Sequence, residues 1–154
     1  MPHSTYFKEH DSKFKHNDSN TLEIEFERLA TRKGWHKKGQ WSKFWRLCIA
    51  AEFKYHVYQI VDADLSKLEQ MQRLCTEFGV TDAEKTRSIA ACNKALNKIY
   101  INLFDWIDAC RRGEAPHVFR TYKQLQQYTT EMEKIFPKKI IKRFPIMKVF
   151  MKDF

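Results

Sequence analysis

The residues best placed to do chemistry are two aspartates and two arginines in the middle of the chain. Asp105 and Asp108 are three positions apart, and Arg111 and Arg112 follow them. On a helix this spacing allows either a metal or acid/base carboxylate pair, or i,i+3 ion pairs along a solvated face. Two carboxylates without a third ligand make a poor site for a catalytic metal, so the ion pairs are the favoured interpretation.

Histidine and cysteine, the usual ligands of zinc, are spaced unfavourably for a metal site. His3, His10 and His16 are separated by seven and six positions in a segment expected to be extended, so we expect solvated side chains. The four cysteines are Cys48, Cys75, Cys92 and Cys110. They form no C-x-x-C motif, and each lies on the apolar face of a predicted helix, where a thiol packs as a small apolar group. We therefore predict reduced cysteines, no metal and no cofactor.

Motifs of the common enzyme classes are missing from the sequence. It contains no P-loop, Rossmann glycine pattern, G-x-S-x-G or H-E-x-x-H, and its four glycines are scattered. His56 and His117 have no neighbours in the sequence that suggest a proton relay. We therefore expect a protein that is not an enzyme.

Positive charge is concentrated in two clusters, within a chain whose formal net charge is +9. The first basic cluster is interleaved with tryptophans and contains no acid; it comprises Arg32, Lys33, Lys37, Lys38, Lys43 and Arg46. The second basic cluster comprises Lys134, Lys138, Lys139, Lys142, Arg143, Lys148 and Lys152, with Asp153 as its one acid. The candidate polyanion-binding residues are the first cluster and Lys138, Lys139, Lys142 and Arg143. Such clusters contact phosphates, or they are solvated lysines that keep an aromatic-rich chain soluble.

Helices must position these residues, because apolar side chains recur at helical spacing through most of the chain. The clearest stripe alternates three- and four-residue steps from Ile89 to Cys110, and Thr81 and Glu84 form a capping box before it. We predict one long central helix over about 82–112.

The predicted fold class is all-α, a single compact bundle of five to six helices around that central helix. Residues 1–18 are predicted to form an extended N-terminal arm that Tyr6, Phe7 and Phe14 pin to the body. Residues 19–154 are predicted to form a single helical domain. No apolar run reaches the ~18 residues of a membrane span, so we expect an intracellular protein of the cytoplasm or nucleus.

The helix predicted from about residue 40 to 61 is apolar on more than one side. Either it is deeply buried, or one side is offered to a partner. The candidate partner-binding residues are Trp41, Trp45, Phe53, Val57, Ile60, Ile146, Val149 and Phe150. We therefore predict a non-catalytic interaction domain that engages a protein partner or pairs as a homodimer. The alternative is a basic nucleic-acid-binding module that contacts the phosphate backbone, and an enzyme is the third.

Several short segments, in the same order along most of the chain, resemble a family of small fungal helical proteins. They are Tyr6-Phe7, Phe14, Glu25–Ala30, Gly34-Trp35, Leu74-Cys75, Cys92 with Leu96, Ile101–Asp105, Tyr128-Thr129 and Ile135–Lys139. The sequence departs from the family pattern at Asn17, where a proline is expected, and at Ile141, where an alanine is expected. The resemblance implies one helical domain and a fungal source, and it implies no activity.

Overall fold

The protein is all-helical over residues 2–153, which the computed structural model describes. Its α-helices are α1 Tyr6–His10, α2 Leu22–Lys33, α3 Gln40–Ile60, α4 Lys67–Glu77, α5 Ile89–Leu96, α6 Leu103–Arg112, α7 Tyr122–Glu131 and α8 Lys138–Ile141, and a 3₁₀ helix follows at Pro145–Phe150. The only β-type pairing among the described residues is one antiparallel bridge between Tyr100 and Phe119. The predicted all-α fold class is confirmed.

Side-chain hydroxyls fix where four of these helices begin. The hydroxyl oxygens of Thr21, Ser66, Ser88 and Thr121 each accept a hydrogen bond from the backbone N–H three residues later. Such a cap satisfies one of the four N–H groups that a helix leaves without an internal partner. The helix boundaries therefore follow from local chemistry.

The chain forms two compact units, and two helices contribute to both. Unit 1 contains the residues up to Val57 together with Ile107–Glu114, and unit 2 contains Tyr58–Trp106 together with the residues from Ala115 onward. Helix α3 therefore passes from unit 1 into unit 2, and α6 passes from unit 2 into unit 1. Residues 19–154, predicted to form a single domain, are divided between these units.

The N-terminal segment belongs to the interior of unit 1. Tyr6, Phe7 and Phe14 are all buried, as their predicted pinning role requires. The extended conformation predicted for residues 1–18 is wrong at α1, where the Glu9 N–H donates to the Thr5 carbonyl at 3.0 Å. A helical turn pairs backbone groups that would otherwise be buried beside these aromatic rings without partners.

The predicted continuous helix over 82–112 is wrong, because a turn separates α5 from α6. The side-chain oxygen of Asn102 accepts hydrogen bonds from the N–H groups of Phe104 at 3.0 Å and Asp105 at 3.2 Å, and so caps α6. Its amide nitrogen donates to the Thr129 hydroxyl and to the Lys134 carbonyl. These four bonds stabilise the start of a helix at Asn102. In an unbroken helix Asn102 would be an interior residue, where asparagine is unfavourable.

The apolar stripe nevertheless packs inward on both sides of this turn. Within unit 2, Cys92 and Leu96 of α5 and Leu103 and Trp106 of α6 are buried. Helix α4 packs against α5, and the 3₁₀ helix contacts both α5 and α8. The burial predicted from the stripe is therefore correct for these four residues. No helix within the described residues is long and apolar enough to cross a membrane.

Candidate functional site

The first basic cluster forms a solvent-exposed surface in unit 1. It runs from the last turn of α2 through the loop into the first turns of α3, and all six side chains are exposed. Arg32 pairs with Asp11 at 2.8 Å. The other five cations form no ion pair with any residue that the structure describes. Their charge is therefore available to an anion.

The loop beneath this surface is held by packed aromatic rings. Trp35 is buried and stacks on Phe44, with ring centroids 4.1 Å apart. Phe26 contacts Trp41 at 5.3 Å and Trp45 at 5.2 Å between centroids. Trp41 and Trp45 remain half-buried, so each keeps part of its ring at the surface. The aromatic residues both support the loop and leave two partly exposed rings near the cations.

Backbone geometry adds to the positive character of this loop. Gly34 and Gly39 bracket it with φ angles of 69° and 84°, a left-handed conformation that side chains other than glycine adopt at a cost. Helix α3 begins at Gln40, immediately after the loop, and it is 21 residues long. The positive end of its dipole therefore points toward the loop lysines.

The second basic cluster lies in unit 2 and is partly neutralised there. Lys134 donates to the Asp105 carboxylate at 2.8 Å, and Lys138 pairs with Asp153 at 2.6 Å. Lys152 donates to the side-chain oxygen of Asn97 at 2.8 Å. The exposed cations of this cluster are Lys138, Lys139, Lys142, Arg143 and Lys148. This cluster therefore offers less unpaired charge than the first.

The prediction of partner-binding residues is wrong for half of the set, because those side chains face the interior. Phe53, Val57, Ile60 and Phe150 are buried within the chain, so they offer no surface to a partner. The buried side chains of α3, which include Ile49, Phe53 and Val57, lie on one face of the helix, whereas Leu47 and Tyr58 on the opposite face are about half exposed. The half-buried members of the set are Trp41, Trp45, Ile146 and Val149. The strongly exposed apolar residue of α3 in unit 1 is instead Leu47.

The two central aspartates, Asp105 and Asp108, form their contacts in different units. Asp108 forms the predicted i,i+3 ion pair with Arg111 at 3.3 Å, but both residues are buried and the predicted solvated face is wrong here. Asp108 also accepts a hydrogen bond from the Leu22 N–H at 2.8 Å. Asp105 instead accepts from the Tyr128 hydroxyl at 2.6 Å, in unit 2. The pair is therefore no shared carboxylate site.

A group of potential metal ligands in unit 1 was missed by the sequence argument. One ligand atom each from His3, His16 and Asp18 lies within 4.8 Å of the other two. The Asp18 Oδ1 atom is 3.9 Å from His3 Nε2 and 3.5 Å from His16 Nε2. His3 is buried and the His16 side chain is nearly so, so the prediction that they are solvated is wrong. His10 packs elsewhere, against the rings of Tyr6 and Trp35.

These three residues border a wider set of buried polar groups. Ser4 donates to the Glu52 carboxylate from both its N–H and its hydroxyl, and the other Glu52 oxygen is 3.3 Å from His56 Nε2. The Arg111 guanidinium donates to His16 Nε2 at 2.6 Å and to the Asn20 carbonyl at 2.7 Å. Charged groups in such an interior must be paired or bonded, because desolvation otherwise opposes folding.

The protonation of this cluster follows from its surroundings. Burial, followed by the nearby His3 and Arg111, lowers the pKa of His16 to about 3, so its ring is neutral at physiological pH. Burial raises the pKa of Glu52, but hydrogen bonds from His56 and Ser4 outweigh that effect and the pKa is lowered overall. Unit 1 therefore holds a neutral imidazole, that of His16, and an ionised carboxylate, that of Glu52, in the same polar cluster.

A separate hollow lies in unit 2. Its volume is about 780 Å³, and residues between Gly79 and Ile99 line it. Small apolar side chains of α5, including Ala91 and Ala95, share this lining with Lys94 and Lys98. No sequence pattern indicates this hollow, because it depends on the path of the loop before α5.

Comparison with family models, with curated proteins and with solved structures finds no match to this chain. The resemblance to small fungal helical proteins therefore stays a prediction.

Proposed function

We propose that the chain is a non-catalytic binding domain that holds the phosphate backbone of a nucleic acid through the first basic cluster. The observation that carries this proposal is the run of exposed cations from α2 to α3. No acidic residue occurs between Arg32 and Glu52, and Glu52 is buried. An approaching phosphate therefore meets cations and no exposed carboxylate from this segment.

The geometry around the cluster suits a polyanion better than a small anion. The cations are spread over a helix end, a loop and a helix start, an arrangement that favours contacts to several phosphates over one. The partly exposed rings of Trp41 and Trp45 lie in the same segment and are suited to stacking on an unpaired base. If each of the five cations without an ion pair contacts one phosphate, a plot of log K against log salt should have a slope of about −4.5, since each contact contributes ~0.9.

The test is fluorescence anisotropy with labelled duplex and single-stranded oligonucleotides over a salt series. The variant Lys37→Gln, Lys38→Gln, Lys43→Gln, Arg46→Gln removes four cations of the first cluster. We expect weaker binding and a slope reduced to about −1, since each lost phosphate contact removes about 0.9. Circular dichroism should show an unchanged helix content, because all four side chains are exposed.

The second basic cluster provides a matched control. The variant Lys138→Gln, Lys139→Gln, Lys142→Gln, Arg143→Gln removes the same net charge from unit 2. It should lower affinity much less than the first variant, because Lys138 is already paired with Asp153. Equal losses of affinity in the two variants would show that net charge alone controls binding. An unchanged affinity in the first variant would refute the proposed surface.

A second candidate function is pairing with a protein partner or with a second copy as a homodimer. It is supported by the exposed apolar side chains of Leu47 in unit 1 and of Met132 and Ile135 in unit 2, about half of each lying at the surface. Because two copies at +9 repel each other, salt should strengthen such a dimer, whereas it weakens nucleic-acid binding. Sedimentation across a salt series separates the two, and an 18.6 kDa monomer at every salt would exclude the homodimer.

A further inference from the structure

We propose that the hollow of about 780 Å³ in unit 2 binds a medium-chain carboxylate, a small molecule with an aliphatic body and one anionic head. Small-molecule sites typically have volumes of ~300–1,000 Å³, a mainly apolar lining and a few charged or polar groups that orient the ligand. The residues of this hollow combine these properties. They all belong to unit 2, so the proposal does not depend on the first basic cluster of unit 1.

One wall of the hollow is the loop between α4 and α5, and hydrogen bonds hold this loop in place. The side-chain amide of Gln72 in α4 donates to the Thr86 carbonyl at 2.8 Å. The Asp82 carboxylate accepts from the Glu84 N–H at 2.9 Å, and the Thr86 hydroxyl donates to the Asp82 carbonyl at 3.2 Å. The wall is therefore formed before a ligand arrives, which lowers the entropic cost of binding.

One face of α5 supplies the apolar part of the lining. Ala91 and Ala95 are four positions apart, so they lie on the same face of the helix, and both are half-buried. Val80 and Ile99 add larger apolar side chains to the lining. Because the alanine methyl groups leave space beside the helix, an aliphatic chain can lie there and remove apolar surface from water.

The charges around the hollow favour an anion. Four cations and two carboxylates line it: Lys85, Arg87, Lys94, Lys98, Asp82 and Glu84. Glu84 is paired with Arg87 at 3.6 Å, and the Asp82 carboxylate is bonded to the backbone of the loop. Lys85, Lys94 and Lys98 form no ion pair with any residue that the structure describes. The uncompensated charge at the hollow is therefore positive.

Lys94 and Lys98 are the cations placed to hold the carboxylate. They are four positions apart, and the backbone is still helical at Asn97, where φ is −64° and ψ is −19°. Both lysine side chains therefore extend from the helix face that carries Ala91 and Ala95. A ligand whose body lies on the alanines brings its carboxylate within reach of these lysines, and such charge-assisted hydrogen bonds are stronger than neutral ones.

The test is an NMR titration of the ¹⁵N-labelled full-length chain with sodium octanoate, and separately with octanol. We expect saturable shifts of the backbone amides between Gly79 and Ile99. Octanol has the same aliphatic length without the charge, so it should bind on the order of tenfold more weakly. A purely apolar hollow would show the opposite preference, because the carboxylate loses more hydration than the hydroxyl. Added salt should weaken the binding of octanoate and not that of octanol.

Two variants separate the apolar and charged parts of the site. Ala95→Phe places a ring in the hollow and should abolish the shifts. Lys94→Gln, Lys98→Gln leaves the hollow open and should weaken octanoate on the order of tenfold, to the affinity of octanol. Lys123→Gln, Lys139→Gln is the matched control, because both lysines are exposed in unit 2 and neither lines the hollow. This control should bind octanoate as the wild type does.

Spectra of the variants without ligand show whether unit 2 keeps its fold, and the lysine variant tests the site even if the Ala95 variant does not fold. Four results would each overturn the proposal: shifts confined to unit 1, octanol binding as tight as octanoate, wild-type affinity in the lysine variant, or an equal loss in its control. Shifts of the same amides with protein concentration alone would assign the hollow to a second copy of the chain, and would overturn it too.

Discussion

The buried ion pair between Asp108 and Arg111 should be a main determinant of the stability of unit 1. Arg111 is the largest polar side chain that is fully buried in the described chain, and its side chain has no exposed surface. Asp108 links the guanidinium to the start of α2 through the Leu22 N–H. The informative perturbation is therefore removal of each partner alone and of both together.

The expected magnitudes follow from which groups are left without a partner. Arg111→Met removes the cation that pairs with the buried Asp108 carboxylate and the donor to the Asn20 carbonyl, so it should cost about 3–5 kcal/mol. Asp108→Asn keeps an acceptor for the Leu22 N–H and removes only the charge, so we expect about 2–4 kcal/mol. In the double variant no charge of the pair remains unpaired. The combined loss should therefore be smaller than the sum by about 2 kcal/mol or more.

The assay is urea denaturation followed by tryptophan fluorescence. Trp35, Trp41 and Trp45 belong to unit 1, so the signal reports mainly on the unit that contains the pair. An exposed i,i+3 pair, Glu84 with Arg87 at 3.6 Å, provides the control. Arg87→Met should change the free energy of unfolding by less than about 0.5 kcal/mol, because solvent screens the pair. Additive losses in the Asp108 and Arg111 variants, or losses equal to the control, would refute the reasoning.

Three further predictions concern unit 2. Leu96→Ala and Leu103→Ala should each cost about 2–5 kcal/mol in chemical denaturation, since both side chains are buried, and losses below about 1 kcal/mol would contradict their packing. Burial and the bond to Asp105 raise the pKa of Tyr128, and although burial lowers the pKa of Lys134, its bonds to Asp105 and Tyr128 raise that pKa overall. The stability that these bonds provide is therefore present below about pH 10 and should fall as the pH rises further. Tyr128→Phe should reduce that fall in a pH series of melting curves. Burial and the neighbouring Cys92 raise the pKa of the Cys75 thiol to about 12, so alkylation of the native chain, followed by peptide mass spectrometry, should modify Cys75 more slowly than the half-buried Cys110.

The parts of the fold that the sequence predicted are those set by local spacing. The stripe through Cys92, Leu96, Leu103 and Trp106 is buried, because apolar side chains at helical spacing pack inward whatever the exact helix length. The same spacing concealed the break at Asn102. The break depends on the capping bonds of Asn102 and on the bridge between Tyr100 and Phe119, neither of which the spacing of apolar residues reveals.

The candidate sites were harder to predict, because they depend on contacts between distant segments. The exposure of the first basic cluster followed from its composition, since six cations without an acid rarely pack inside a unit. Nothing in the spacing of His3 and His16 indicated that their rings stack. One local signal was available: Glu52 and His56 lie four residues apart on the apolar face of α3, where a charged pair needs buried partners.

The N-terminal segment supplies hydrogen-bond partners to the buried Glu52 and Arg111 side chains of unit 1. Ser4 bonds to Glu52, and His16 accepts from Arg111, so residues on both sides of α1 complete polar contacts made by α3 and α6. Phe7 and Phe14 cover the same region with apolar surface. Without this segment, the Glu52 carboxylate and the Arg111 guanidinium would each lose a hydrogen-bond partner and part of their apolar cover. The segment predicted to be an extended arm, pinned by its aromatic residues, therefore also supplies hydrogen-bond partners to the charged groups inside unit 1.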